Sequence, residues 1–551
     1  MIPVDTPASA RQKKTPHSGE TGMNPLAILL TVGCILLTTG LPARAADYYV
    51  SPTGDDRAAG TAADNPLRTI GKAAALAEPG TVVHLAPGTY AERVTPARSG
   101  TPDAPITIRK DGRGEVVWTA PDAPPAKGMG AALNLDGKGH FIVEGITFKD
   151  CTCWITMGDA HCNTVKDCVF DGSKIYNSLW VSNGSYIRIL NCDFKRARPY
   201  VTDENGVSTN KTASDFIEFF RNCNHNLVEG CRFGKIGHVA VLIEAFQPGC
   251  KPTYNIVRNC TFTNPMWKCL GTHAAEYTLI EGCTMTGKSA VFYQFESPKT
   301  IVRRNLFYGW RSSLPDAEDT LRVVFRVGTT KDNDVDCPFR DNRIYHNLFY
   351  DNDRTITSYA AQGPIENNVF KNNIFFHNRM TLWLCQPDYT TQCRTYFTNN
   401  VLCGMAPGQK IFGYEAKQFT LAEAQRQMPE LCQGNIEADP LFTDAAKNDF
   451  RLRDGSPCID AGADLTATSS AGHGTLIPVE DPLYFSDGFG LIEGDRIVVG
   501  GQAVKILRVD YEKKTLEVDR TIAWKKGDGV NQPFSGKAPD IGPFEKQAGP
   551  S

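Results

Sequence analysis

The sequence is short of three things, and each shortage removes a class of function. It has no surplus of one charge: 58 Lys and Arg face 61 Asp and Glu, a formal net of −3 over 551 residues. Such a balance offers no broad electrostatic grip on nucleic acid, so no nucleic-acid partner is expected. It has no close C-x-x-C pair among its 18 cysteines, which leaves a structural zinc site without support. It has no unbroken apolar span. The best candidate, Pro25 to Leu41, is interrupted by Gly33, Gly40 and several threonines, and that weakens it as a membrane crossing.

The same run follows Arg11, Lys13 and Lys14 and precedes Ala43-Arg44-Ala45. Residues 1–46 therefore read as a secretory signal. A secreted or periplasmic protein is expected, with no stable membrane insertion once the signal is removed. Losing Cys34 with it leaves seventeen of the eighteen cysteines, a number that suits an oxidising compartment. Cys385 and Cys393 flank a short loop and could be bridged. Cys153 with Cys162, and Cys403 with Cys432, are further candidate pairs.

What the chain has in abundance is repetition. From His140 to Cys403 it restates one phrase: VEGITF, VKDCVF, ILNCDF, VEGCRF, VRNCTF, IEGCTM, VRRNLF. The residue two before the aromatic (Met285 in the sixth phrase) is Ile146, Cys168, Cys192, Cys231, Cys260, Cys283, then Asn305, and later Asn347, Asn368 and Asn373. The first seven are 22, 24, 39, 29, 23 and 22 residues apart. A period near 22 with insertions predicts stacked coils. The repeated cysteines are then small apolar residues at equivalent inner positions, and the asparagines bond from coil to coil.

The flanks fit a capped solenoid. NPLRTIGKAAALAEPG predicts a short helix at the open N-terminal end, where bare strand edges would otherwise be exposed. TLAEAQRQM predicts another near the far end, and DFRLRDGSPCIDAGA reads as a last coil. Insertions at 198–214, 311–319 and 331–340 predict loops on the solenoid. From about Leu476 the texture changes to alternating strands separated by turns, which predicts a small antiparallel module. Residues 47–475 are thus assigned to the solenoid and 476–551 to the module plus a closing segment, KAPDIGPFE.

YYVSPTGDD, NPLRTIGKAAALAEPGTVVHLAPGTYAERV and repeats such as NLVEGCRF resemble the right-handed parallel β-helix proteins related to pectate lyases, over about 47–460. The fold implied is all-β, a right-handed parallel β-helix. The activity implied is action on polysaccharide, since the superfamily holds lyases, hydrolases and epimerases, alongside proteins with no known chemistry.

Alternation in the third strand of each coil nominates a site. With Ile217 and Phe219 inward, Phe216 and Glu218 point out. The same parity puts Glu244, His273, Gln294, Glu296, Arg322 and Arg326 outward, with Trp154 and Trp180 earlier in the chain. Stacked coils would turn these into one vertical row. Trp154, Trp180 and Phe216 suit sugar faces, and Arg322 and Arg326 suit carboxylates or sulfates. A lyase acting on a uronic-acid polymer by β-elimination is the first reading. Ca²⁺ held by Asp215, Glu218 or Glu244 would neutralise the uronate, and Lys235, His238, Lys268 or His273 would serve as base. The resemblance supports this in kind, because some alginate- and pectin-cleaving relatives pair acidic calcium ligands with a Lys or Arg catalyst. The alternatives are a hydrolase using two of Asp215, Glu218 and Glu244, an epimerase, or a non-catalytic glycan-binding protein. The expected partner is an acidic polysaccharide and the expected state a monomer.

Overall fold

The computed structural model describes residues 45–120, 130–173, 177–197, 215–235, 238–263, 268–287, 291–310, 323–332, 335–361, 365–384, 393–414 and 417–546. Its strands form three long sheets in which most neighbours are three strands apart in the sequence. Each coil therefore gives one strand to each sheet, and the paired strands run parallel. This is the all-β parallel β-helix that the repeat predicts.

Sequence chemistry sets each turn. Between the strands of sheets 1 and 2 the chain passes through a left-handed residue, at Gly145, Asp167, Asn191, Gly230, Asn259 and Gly282, with φ between 53° and 72°. Gly, Asn and Asp tolerate that region best, which is why the phrase carries them there. The next residue turns inward. Cys168, Cys192, Cys231, Cys260 and Cys283 are buried free thiols, each with its Sγ 3.5–3.7 Å from a carbonyl of the preceding coil.

From Cys283 onward the same column becomes an amide ladder. Asn305 Oδ1 accepts the Cys283 N–H at 2.8 Å, and Asn305 Nδ2 donates to Ile280 O at 3.0 Å. Asn347, Asn373, Asn400 and Asn435 continue it. Asn368 does not belong to this column. It lies at the entry to sheet 1, where its Oδ1 accepts from the Asn342 N–H at 3.2 Å. ENNVFKNNIFF holds two Asn-Asn pairs, one for each corner, and sequence alone merged them.

The predicted N-terminal helix spans Ile70–Leu76, with the Thr69 hydroxyl accepting from the Lys72 amide. The second spans Leu421–Gln427, with a capping box between Thr420 and Glu423. DFRLRDGSPCIDAGA is not a coil. Its Asp449–Leu452 strand turns back on Phe442–Asp444 as an antiparallel hairpin. Beyond it, six strands between Thr466 and Asn531 form an antiparallel sheet. That sheet packs on the outer face of sheet 1, where Leu227, Ile256, Leu279 and Ile301 share a core with Ile477, Ile497 and Val530. Arg303, itself buried, ties the two together through Glu281 and Asp495. The module is therefore packed against sheet 1 through a shared core and a buried ion pair.

Two of the candidate disulfides are corrected. Cys153, Cys162, Cys403 and Cys432 are all free thiols. Cys153 points into the solenoid wall, where its Sγ lies 3.3 Å from Ser178 O. The third candidate, Cys385 with Cys393, lies outside the described side chains. So do the inserted segment 198–214 and residues 311–322.

Candidate active site

Sheet 3 carries the candidate site. Its strands Asp215–Phe220, Val239–Glu244, Lys268–His273, Val291–Glu296 and Val323–Asp332 are stacked in register. Ile217, Val241, Leu270, Tyr293 and Phe325 make one inward column of the core. The outward residues fall into two columns rather than the single row expected. One runs Trp180, Glu218, Leu242, Gly271, Gln294, Arg326. The other runs Ser182, Phe220, Glu244, His273, Glu296. Strands about 4.8 Å apart bring the two columns together across one patch.

These outward groups are nonetheless nearly buried. Glu218, Glu244, Lys268, His273 and Glu296 are 4%, 6%, 8%, 9% and 1% exposed. Burying charge is costly unless partners compensate, and the patch is densely partnered. Asp215 Oδ1 accepts from His238 Nδ1 at 2.7 Å and from the Val239 amide at 2.8 Å. His273 Nδ1 lies 2.9 Å from Glu296 Oε2, and Gln294 Nε2 donates to Glu296 Oε1 at 2.6 Å. Glu244 and Glu218 share a side-chain hydrogen bond.

Two groups are shifted in opposite senses. Burial, then the charges of Glu218 and Asp215, hold the Glu244 carboxyl well above the usual carboxylate range. The hydrogen bond that the two carboxyls share requires a proton, and the raised Glu244 favours holding one. Burial and the neighbouring Arg326 push the Lys268 amine down to about 8, against the pull of Glu296, Asp215 and Glu244. A site with one carboxyl kept protonated and one amine eased toward neutrality has an acid and a base in reach of each other.

The structure divides the nominated residues. Asp215, Glu218, His238, Glu244, Lys268, His273, Gln294, Glu296 and Arg326 come together. Trp180 is half-buried at the foot of the Glu218 column. Lys235 ends a strand of sheet 2 and is exposed there. Arg322 lies outside the described residues. Trp154 and Phe216 are corrected: both are fully buried in the core. Each is the second residue of its strand, next to the corner where sheet 2 turns into sheet 3, so strict alternation fails there. They stack on each other with centroids 6.1 Å apart, and Trp154 Nε1 donates to Gly172 O at 3.0 Å. Phe246, which the parity argument passed over, packs at 5.5 Å from the His273 ring and is partly exposed. Its only sequence signal was an aromatic one turn after Glu244.

The acidic set does not fit calcium, which takes six to eight oxygen ligands. Asp215 Oδ1 is already held by His238 and Val239, and Glu296 is engaged by His273 and Gln294. Among the described residues, no group of three or more His, Cys, Asp or Glu is arranged to hold a metal.

The chain is similar to several known proteins. Residues 130–307 match a family model described as "Right handed beta helix region", and residues 52–98 match one for a protein of unknown function (DUF1565). The uncharacterized protein YwoF of Bacillus subtilis (strain 168) is 23% identical over 454 residues, 75% of this chain and 92% of that protein. Pectate lyase PEL9 of Emericella nidulans is 45% identical over 67 residues, only 12% of this chain and 16% of that protein. The crystal structure of pectate lyase Pel9A aligns with 15% identity and a TM-score of 0.41, covering 91% of this chain and 96% of that one. By its coil-by-coil sheet order the chain is a parallel β-helix, and over residues 130–307 it is similar to the right-handed β-helix family.

Proposed function

We propose that this protein is a polysaccharide lyase that cleaves a uronic-acid-containing polymer by β-elimination on sheet 3. The observation that carries the reading is Lys268, a buried amine brought down to about 8 beside Arg326 and a protonated Glu244. β-Elimination needs a base, a counter-charge for the uronate carboxylate, and an acid for the departing oxygen. Neutral Lys268 takes the proton from the carbon beside the carboxylate. The freed electron pair forms the new C=C bond as the adjacent C–O bond breaks. Glu244 gives its proton to the leaving glycosidic oxygen. Arg326, which burial lowers yet leaves cationic, pairs with the uronate carboxylate. At pH 7 a base with pKa near 8 is roughly one-tenth neutral, enough to turn over. Trp180 and Phe246 offer ring faces to neighbouring sugars. The positive groups already present make calcium unnecessary in this scheme. Export by the segment 1–46, as a monomer, would bring the enzyme to such a polymer and is part of the proposal. The similarity to pectate lyase PEL9 over 67 residues is consistent with it.

A hydrolase built on Glu218 and Glu244 is less well supported. Carboxyls that share a hydrogen bond are closer than the roughly 5 Å of a retaining pair.

The test is a screen of uronate-containing and sulfated polysaccharides. A lyase generates an unsaturated product, seen by its ultraviolet absorbance. New reducing ends without that absorbance would move the assignment to a hydrolase, and binding with neither would make the protein a glycan binder. Chelator added to the assay should leave turnover unchanged. Loss of turnover restored by Ca²⁺ would overturn the metal-free scheme.

A further inference from the structure

Away from sheet 3, the closing tail and the corner between sheets 1 and 2 enclose a cavity of about 460 Å³. Arg304, His346 and Arg451 line one side, and Phe534, Phe544 and Glu545 the other. The tail is held in place to form it. Gly542 donates its N–H to Asn372 O at 2.9 Å, and Ile541 to Cys458 O at 2.9 Å. Gly542 has φ 111°, and a Cβ there would meet Ile374 Cδ1 at 2.6 Å. Only glycine lets the tail come this close.

The charges in the cavity are unequal. Arg451 is engaged by Asp449 at 2.5 and 2.8 Å. His346 is buried, its Nδ1 faces Gly542 O at 3.2 Å, and burial together with Arg304 pushes it down to about 3. It therefore stays neutral. Glu545 accepts the Asp540 amide at 3.1 Å, and burial together with Asp540 pushes its carboxyl up to about 7. No hydrogen bond or ion pair of the Arg304 guanidinium is seen among the described residues, and its charge acts at longer range on Glu545 and Glu281. Phe544 keeps 38% of its surface exposed. An uncommitted guanidinium beside an open aromatic face suits a ligand with one carboxylate and one saturated ring face. The volume is that of a small-molecule site, about 300–1,000 Å³.

We propose that this cavity is a second saccharide site, which seats an acidic sugar with its carboxylate on Arg304 and its ring against Phe544. The choice of an acidic sugar rests on the uronate reading of sheet 3. The site would hold the polymer to the solenoid apart from the groups that cleave it.

The test is calorimetric titration of the full chain carrying Lys268→Met, so that no probe is consumed. The probe is a hexuronate disaccharide. Two equivalents should bind, and adding Arg304→Asn or Phe544→Ala should leave one, with at least tenfold loss at the second site. Asn is chosen because residue 304 has φ 55°, which Asn tolerates. Phe544→Ala alters an exposed side chain and covers the case in which Arg304→Asn misfolds. A single equivalent that vanishes with either change would keep this inference and remove the sheet 3 binding site instead. Two equivalents in every variant, one equivalent indifferent to both changes, or no binding would overturn it. So would undiminished second-site binding of the disaccharide's methyl ester.

Discussion

His238 Nδ1 lies 2.7 Å from Asp215 Oδ1 across one coil step, and the same oxygen accepts the Val239 amide at 2.8 Å. Asp215 thus fixes the start of the strand that delivers Glu244. It is fully buried, and its Oδ2 has no hydrogen-bond partner among the described residues. Asp215→Ala would take a partner from the His238 ring and leave the buried Val239 amide unpaired. A loss of about 2–4 kcal/mol is expected, read as a lower denaturant midpoint at pH 7. An unchanged midpoint would show that the pairing does not hold the strand.

Lys268 should set the pH dependence of turnover. Its amine must be neutral to act as base, so activity should climb as pH rises toward about 8 and fall again where Glu244 loses the proton it must donate. Lys268→Met should cost at least about a hundredfold, the low end for general-base catalysis. Lys268→Arg should not rescue, because a guanidinium stays protonated. An acidic limb that survives in Lys268→Met would assign the titration to another group.

Glu244 makes a stability prediction of the opposite sign. Its folded-state pKa is raised, by burial first and then by Glu218 and Asp215. Its contribution is therefore full below the ordinary value of 4.5 and is lost as pH rises through the raised one. Glu244→Gln keeps a donor for Glu218 and removes the titration. Its thermal midpoint should match wild type in acid and equal or exceed it at pH 7, while turnover falls about a hundredfold for want of an acid. Glu218→Gln with Glu244→Gln should abolish turnover in a folded protein. A midpoint at pH 7 well below wild type would contradict the protonated state assigned to Glu244.

Much of this was legible in the sequence because stacking makes position periodic. The spacing from Ile146 to Asn305 gave the coil, and β-branched residues at 217, 241 and 243 gave the face of each strand. Alternation failed at Trp154 and Phe216 because a corner residue has no fixed side, and it failed to separate Glu218 from Glu244 because parity does not count strand pairs. The two differ in column: Glu218 aligns with Leu242, and Phe220 aligns with Glu244. Nor could sequence reveal that an outward Lys268 would be buried, since burial depends on side chains from four coils meeting.

The asparagine ladder offers the sharpest test of the fold itself. Asn305 sits where the column changes from thiols to amides, and it serves both coils at once. Its Oδ1 takes the Cys283 N–H, and its Nδ2 reaches Ile280 O and Asn347 Oδ1, each at 3.0 Å. Asn305→Ala would leave a buried amide and a buried carbonyl unpaired, where water cannot replace the lost bonds. A cost of about 2–4 kcal/mol is expected from those two groups. Cys231→Ala, by contrast, removes only a weak thiol contact at 3.5 Å and a little volume, and should cost about 1 kcal/mol or less. Because a solenoid yields locally, hydrogen exchange in the coils beside residue 305 is the proper readout. Equal effects of the two substitutions would mean that the amides of this column are only filling space, as the cysteines do.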